Sequence, residues 1–245
     1  MVVRMLTPTL VEVHLERRVK LPKRESELFR YIVNYGPKTE YDLKRELGMS
    51  GGTIHYVLKK LTEKGLLKAV QRGRARTGKP IKEHRLTLTG LYAAIKLSGD
   101  VDRVVEKWKD LDPLIFGKWR LLTGAVPAEE AAEALKRASM HLFTTLYYDE
   151  KGKLITDGPI LQYALRSHIL DYVLTRPIPS LQKWMEALRL DDGLREFAIS
   201  YLRQWIFNKQ YQACLGEEVL KVLKGLKREL SLEGISENAR GKVPF

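Results

Sequence analysis

The sequence predicts a mainly helical fold in two parts: three helices with a β-hairpin first, and an all-helical region after them. Three observations lead to this. Apolar residues recur at helical spacing between residues 25 and 65. Two short, partly alternating segments then flank the glycine-containing stretch RGRARTGKP, residues 72–80. Helical patterns return near residue 88 and continue, with prolines typical of first helical turns at Pro113 and Pro127.

The first helix is predicted from a stripe of Leu28, Phe29, Ile32 and Val33, and it should end at Gly36. The next residues, KTEYDLKRELG, predict a second, shorter helix that begins after Thr39 as its cap and ends at Gly48. Its inner face is either Tyr41 or Leu43, together with Leu47.

A third helix follows after about three residues. Ser50 is the expected cap, and Ile54, Val57, Leu58 and Leu61 form its apolar stripe up to the exit KGLL. Two short helices joined by a tight turn that contains glycine are typical of a helix-turn-helix unit. The segments LLKAVQRG and IKEHRLTLT then predict the hairpin strands, and Thr87 or Thr89 should cap a further helix.

Residues 1–24 remain open between two structures, because Val11, Val13 and Leu15 alternate as in a strand while Pro8 is also compatible with a first helical turn. The expected domains are an N-terminal arm over residues 1–24, the helix-turn-helix unit with its hairpin over residues 25–99, an all-helical domain over residues 100–235, and a loose tail over residues 236–245. In the helical domain, a stripe from Leu194 to Trp205 predicts either a core, a dimer interface or a ligand pocket.

The net charge of +13 is concentrated in the first part of the chain. Residues 1–99 hold 21 Lys and Arg against 9 Asp and Glu, whereas residues 100–245 hold 22 against 21. Ten of the cations lie between Lys59 and Arg85, with only Glu63 and Glu83 among them. This asymmetry predicts a polyanionic partner for the N-terminal part.

The stretch from Gly73 to Lys79 matches seven positions of the phosphate loop G-x-x-x-x-G-K-[ST], with Pro80 at the hydroxyl position. A phosphate loop needs a helix directly after the lysine and a hydroxyl group for magnesium. Here a proline and an extended segment follow. The stretch is therefore expected to contact the phosphates of a nucleic acid, and a nucleotide hydrolase is disfavoured.

The segments MSGGTIHYVLKKLTEKGLL and HRLTLTG resemble the recognition helix and the hairpin exit of winged helix-turn-helix regulators, similar to the MarR and PadR groups and of archaeal type. The resemblance covers residues 25–97. It implies a double-stranded DNA-binding transcriptional regulator whose third helix enters the major groove. The alternative is an architectural or accessory protein of replication or chromosome maintenance, with low sequence specificity.

The predicted DNA-binding residues lie on the third helix and on the hairpin, which is the wing of such a domain. They are Ser50, Gly51, Gly52, Thr53, His55, Tyr56, Lys59, Lys60, Arg72, Arg74, Arg76 and Lys79. In an extended wing tip, the three arginines are two residues apart and would project to one side, towards the backbone or the minor groove. Tyr56 has two interpretations, a base contact or a cover over the hairpin.

No enzyme, cofactor or metal site is expected, because the five histidines form no H-E-x-x-H motif and Cys214 is the only cysteine. The absence of a signal peptide pattern and of a long apolar run predicts a cytoplasmic protein without membrane contact. The expected partners are duplex DNA, a second copy of the chain, and a protein or small-molecule effector of the helical domain.

Overall fold

The computed structural model describes residues 2–7, 10–14, 21–74, 77–98, 100–148, 154–174 and 176–207. The α-helices within them are α1 Lys23–Tyr35, α2 Glu40–Leu47, α3 Gly51–Glu63, α4 Leu88–Leu97, α5 Val101–Trp108, α6 Trp119–Ala125, α7 Ala128–Thr144, α8 Pro159–Leu174, α9 Ile178–Arg189 and α10 Asp192–Phe207. The strands are β1 Val2–Thr7, β2 Leu10–His14, β3 Lys38–Thr39, β4 Leu67–Arg74, β5 Pro80–Leu86, β6 Thr145–Tyr148 and β7 Leu154–Ile155.

These elements belong to two compact units. The first contains residues 1–119 and 129–169, and the second contains residues 120–128 and the part described from Leu170 onward. The first unit thus continues beyond residue 99, because α5 packs on α1 and α4, and the indole N–H of Trp108 donates to the carbonyl of Val33 at 2.9 Å. The mainly helical fold with a winged helix-turn-helix part is confirmed.

Helices α1 to α3 bury the apolar stripes that their spacing predicts. The buried side chains are Leu28, Phe29, Ile32, Val33, Leu43, Ile54, Val57, Leu58 and Leu61. In α2, Leu43 is completely buried whereas Tyr41 is exposed, so Leu43 provides the inner face. Each fully buried leucine contributes roughly 1.5–3 kcal/mol of transfer free energy, so the three helices stabilise one another mainly through this core.

The helix starts follow local signals. Thr39 and Asp42 form a capping box, with the Asp42 N–H at 3.1 Å from Thr39 Oγ1 and the Thr39 N–H at 3.2 Å from Asp42 Oδ2. The hydrogen bond from Thr39 holds the pKa of the Asp42 carboxyl below its usual value. Ser50 caps α3 by accepting from the Thr53 N–H at 3.2 Å. Gly48 ends α2 in the left-handed conformation, with φ of 63°.

The wing is a three-stranded antiparallel sheet in the order β3-β5-β4. Strand β4 pairs with β5 from Leu67 opposite Leu86 to Arg74 opposite Pro80, and the register shifts once, between Gln71 and Gly73. The strands lie close to the predicted segments, at Leu67–Arg74 against residues 66–73 and at Pro80–Leu86 against residues 81–89, so residues 75–79 separate them.

The end of α3 and the start of α4 are hydrogen-bonded to each other. The buried Thr87 hydroxyl donates to the carbonyl of Gly65 at 2.6 Å and accepts from the Gly90 N–H at 2.9 Å. Its own N–H donates to the carbonyl of Leu66 at 3.1 Å. Gly90 packs so closely on Leu66 that a Cβ atom would lie 2.0 Å from the Leu66 carbonyl oxygen. This junction fixes where the wing leaves the helices.

Part of the chain that was predicted to be all helical contains strands. Strands β6 and β7 join β1 and β2 in an antiparallel sheet of order β1-β2-β6-β7, with Val13 opposite Leu146. The expectation of an all-helical region over residues 100–235 is therefore wrong for residues 145–148 and 154–155. Within the undecided segment 1–24, residues 2–7 and 10–14 form the strands β1 and β2, and α1 begins at Lys23. The side-chain alternation in TLYY and LI is too short to indicate strands by periodicity alone.

The described part of the second unit is helical. Leu194, Ala198 and Tyr201 of the predicted stripe are buried against α9, together with Trp184. The Tyr201 hydroxyl donates to the carboxylate of Asp171. The side chains of Leu202 and Trp205 lie outside the described residues. No helix in the described ranges is both long enough and apolar enough to cross a membrane.

The close contact at Gly90 leads to a stability prediction. Replacing a helical glycine with alanine ordinarily stabilises a helix by roughly 0.5–1 kcal/mol. In Gly90→Ala the methyl group would collide with the Leu66 backbone, so we expect a loss of about 1–3 kcal/mol in the free energy of unfolding, measured by urea denaturation.

Gly52→Ala is the matched control, because Gly52 also lies in a first helical turn but an added methyl group there would meet no atom within 4 Å. It should leave the unfolding free energy unchanged or slightly higher. Equal stability of the two variants would contradict the close packing at Gly90.

Candidate nucleic-acid interface

The outer face of α3 presents a polar surface with little side-chain bulk at its start. Gly51 and Gly52 are exposed, and a Cβ atom on either would meet nothing within 4 Å. Ser50 Oγ and Thr53 Oγ1 are 2.9 Å apart, so these two hydroxyls bind each other at the cap. A helix start with exposed glycine amides lets a phosphate or a groove wall approach the backbone closely.

The next turn carries two exposed side chains, His55 and Tyr56. Tyr56 is 59% exposed and carries the Lys60 ammonium 5.8 Å from its ring centroid. This exposure excludes the interpretation in which Tyr56 covers the hairpin. An exposed phenol on the outer face of α3 can donate to or accept from another molecule.

Lys59 and Lys60 share the carboxylate of Glu63. Lys60 Nζ lies 2.9 Å and Lys59 Nζ 4.0 Å from its oxygens. The hydrogen bond between Glu63 and Lys60 raises the pKa of Lys60 and lowers the pKa of Glu63. The negative charge of Glu63 cancels part of the field of these two lysines.

The wing cations differ in their surroundings. Arg72 Nη1 lies 3.4 Å from Glu83 Oε1, whereas Arg74 and Lys79 are exposed and have no carboxylate within 4 Å in the described part of the chain. Gly78 adopts a φ of 76° between them, which a residue with a side chain rarely adopts. Arg76 lies outside the described residues.

The register shift at Arg72 changes the predicted direction of the arginines. Arg74 is opposite Pro80, while Arg72 reaches Glu83, and these two β5 residues are three positions apart. Side chains three positions apart in a strand point to opposite faces. The expectation that Arg72 and Arg74 project to one side is therefore wrong, because the extra residue of a β-bulge inverts the alternation.

Sequence reasoning missed two further groups at this surface, Glu40 and His84. Glu40, the first residue of α2, has its Oε1 atom 3.2 Å from Nδ1 of His55 and 3.9 Å from Nε2 of His84. Separations of 15 and 44 residues leave no local pattern that could reveal such a cluster. Only the predicted helix-turn-helix geometry, which places the start of α2 beside α3, could have suggested the contact with His55.

Burial dominates the behaviour of His84. The side chain is 7% exposed, its Nδ1 atom has no hydrogen-bond partner, and this burial lowers the pKa of His84. The carboxylate of Glu40 raises the pKa of His84, whereas the nearby Lys82 and His55 lower it further. His84 is thus neutral at pH 7, at the base of the wing.

The stretch that resembles a phosphate loop does not have the structure of one. Lys79 is followed by strand β5, not by a helix. In the described ranges, no group of three or more His, Cys, Asp or Glu side chains could hold a metal ion.

The structure contains a capped three-helix unit with an antiparallel hairpin. Its third helix has an exposed polar face, and the hairpin carries exposed cations. These features define a winged helix-turn-helix module, a class that binds DNA. Residues 15–97 match the model of the family described as "Sugar-specific transcriptional regulator TrmB". This match spans about a third of the chain. No curated protein and no solved structure matches.

The match supports a winged helix-turn-helix regulator, and DNA binding and transcription regulation are the properties of the matched family. It does not support the MarR and PadR groups in particular. The family is one of transcription regulators and not of enzymes.

The buried histidine leads to a pH prediction. Because the unfolded chain binds a proton on His84 near pH 6.5 and the folded chain only at lower pH, the unfolded state binds more protons between these values. The stabilising contribution of neutral His84 is therefore complete above pH 6.5 and is lost as the pH falls below it. We expect the free energy of unfolding, measured in urea, to fall from pH 7.5 to pH 5.5.

His84→Gln should make this decrease smaller, since glutamine does not titrate. His55→Gln removes an exposed imidazole and should leave the decrease in place. An identical pH profile for the native protein and His84→Gln would show that His84 is not the group responsible.

Proposed function

We propose that this protein regulates transcription by inserting the exposed face of α3 into the major groove of duplex DNA, with the wing on the adjacent backbone or minor groove. The observation that supports the wing contact is that Arg74 and Lys79, on either side of the wing tip, are exposed and have no described carboxylate partner. The match of residues 15–97 to a family of DNA-binding regulators supports the same function.

The residues of α3 divide into two kinds of contact. Ser50, Gly51, Gly52 and Thr53 form the helix start, where exposed amides and hydroxyls suit a phosphate oxygen. His55 and Tyr56 follow on the exposed face and suit base edges in the groove. Lys59 and Lys60 lie a turn further along and suit the backbone.

On the wing, Arg74, Arg76 and Lys79 are proposed to contact phosphates or the minor groove. Arg72 is proposed as a weaker contact, because Glu83 competes for its guanidinium group. Pairing of two chains through the part that follows the winged domain would place two recognition helices on half-sites about one helical turn of DNA apart. The same part is proposed to bind an effector or a protein partner.

The wing contact can be tested by removing two of its exposed cations that have no described carboxylate partner, Arg74 and Lys79. Arg74→Ala with Lys79→Ala should weaken binding to every duplex, and it should reduce the slope of log K against log salt by about 1.8, since each phosphate contact contributes about 0.9. Fluorescence anisotropy titrations of the full-length protein at four salt concentrations measure both quantities.

The matched control is Arg103→Ala with Lys183→Ala, which removes two exposed cations from α5 and α9. It should leave the slope unchanged. Failure of the native protein to bind any duplex at low salt would contradict the proposed function. Binding without a motif in a selection of genomic fragments would favour the alternative architectural role with low sequence specificity.

Glu63 is expected to restrain DNA affinity, because its carboxylate pairs with both lysines of α3. Glu63→Gln removes a negative charge from the surface and frees the ammonium groups. We expect duplex affinity in 0.1 M salt to rise on the order of threefold to tenfold. Glu186→Gln, an exposed carboxylate of α9, is the control and should not change the affinity. An unchanged or lower affinity of Glu63→Gln would place these lysines away from the DNA.

A further inference from the structure

The contact between Glu40 and His55 has no part in the capping of α2. The Thr39–Asp42 capping box already satisfies the first amides of that helix. Glu40 nevertheless lies with Oε1 3.2 Å from His55 Nδ1, and both side chains are substantially exposed, at 49% and 70%. A surface pair that joins the start of α2 to the outer face of α3 is thus available for a role in binding.

This contact determines which nitrogen of His55 carries the proton. An ionised carboxylate can only accept hydrogen bonds, so the Nδ1 atom that faces Glu40 must be the donor. In a neutral imidazole the other nitrogen, Nε2, is then an acceptor. No described group is hydrogen-bonded to Nε2.

The start of α3 offers few other groups that could read a base. Gly51 and Gly52 have no side chains, and the hydroxyls of Ser50 and Thr53 bind each other at 2.9 Å. Beyond this cap, the first exposed polar side chains of α3 are those of His55 and Tyr56. Of these two, His55 has its hydrogen-bonding role fixed by a neighbour.

We propose that Glu40 is a positioning residue that fixes the tautomer of His55, so that His55 Nε2 accepts a hydrogen bond from the exocyclic amino group of a base in the major groove. Adenine N6 and cytosine N4 are the two groups of this chemistry in the groove. This inference rests on the proposed function and adds a base preference to it. Guanine and thymine present only acceptors at the corresponding edge, so neutral His55 disfavours them.

The tautomer can be tested without DNA. Multiple-bond ¹H–¹⁵N NMR of the full-length protein at pH 8 should show His55 protonated on Nδ1. In Glu40→Gln, whose neutral amide can either donate or accept, the Nδ1-protonated form should lose its excess. Glu46→Gln is the matched control, since Glu46 lies on the same helix but binds Lys38 and Tyr31. A native His55 protonated on Nε2 at pH 8 would overturn the inference.

The base preference is tested by selection from randomised duplexes at pH 8. The native protein should prefer adenine or cytosine at one position by on the order of tenfold. His55→Phe and Glu40→Gln should lose the preference at that position alone, and Glu46→Gln should keep it.

The two proposals fail in different ways. A selected motif that is unchanged in His55→Phe would overturn the base reading by His55 while leaving DNA binding intact. Absence of duplex binding by the native protein at low salt would overturn the base reading and the proposed function together.

Discussion

The junction between the end of α3 and the start of α4 is the constraint on which the winged domain depends. Thr87 connects three residues there: its hydroxyl donates to the carbonyls of Gly65 and Leu66 and accepts from the Gly90 N–H, and its own N–H donates to the carbonyl of Leu66. Gly90 admits the Leu66 carbonyl at a distance that no side chain would allow. Since β4 begins at Leu67 and β5 ends at Leu86, both strands of the wing start from this one fixed point. The wing therefore has a defined position relative to α3, which a surface that contacts a groove and the adjacent backbone requires.

Ion pairing decides how much of the positive charge is available to a partner. The sequence places ten cations between Lys59 and Arg85, yet many of them have carboxylate partners: Lys59 and Lys60 pair with Glu63, Lys64 with Glu25, Lys68 with Asp157, and Arg72 with Glu83. Two of these partners, Glu25 and Asp157, are far away in sequence, so a local charge count cannot include them. A cation that already has a carboxylate neighbour gains less from a phosphate, so the described wing residues that offer the most available charge are Arg74, Lys79 and Lys82, which are exposed and have no carboxylate within 4 Å.

The sequence predicts the elements whose signals are local and misses those that depend on tertiary contacts. The caps at Thr39 and Ser50 and the apolar stripes of α1 and α3 involve residues within one or two turns, and each is confirmed. Strands β6 and β7 were missed because they are short and depend on pairing: β6 pairs with β2, more than 130 residues earlier, and β7 pairs with β6. The bulge at Arg72 leaves no signal in composition, although Gly73 directly follows it. The sequence also disfavours a phosphate loop at residues 72–80, because Pro80 and an extended segment follow Lys79, and the structure has strand β5 there.

The candidate site combines a helix start without side chains and a small number of polar groups whose roles are set by their neighbours. In the proposed complex, the open glycines Gly51 and Gly52 would bring the backbone close to DNA, which would favour affinity and recognition of groove shape over direct base reading. Direct reading then depends on His55 and Tyr56. An exposed histidine alone would sample two tautomers and thus present a donor or an acceptor with little selectivity. A carboxylate 3.2 Å from its Nδ1 atom removes that ambiguity, but it also places a negative charge near the phosphates. This charge lowers affinity for every sequence equally, whereas the fixed acceptor discriminates among bases, so Glu40 increases selectivity while it reduces general affinity.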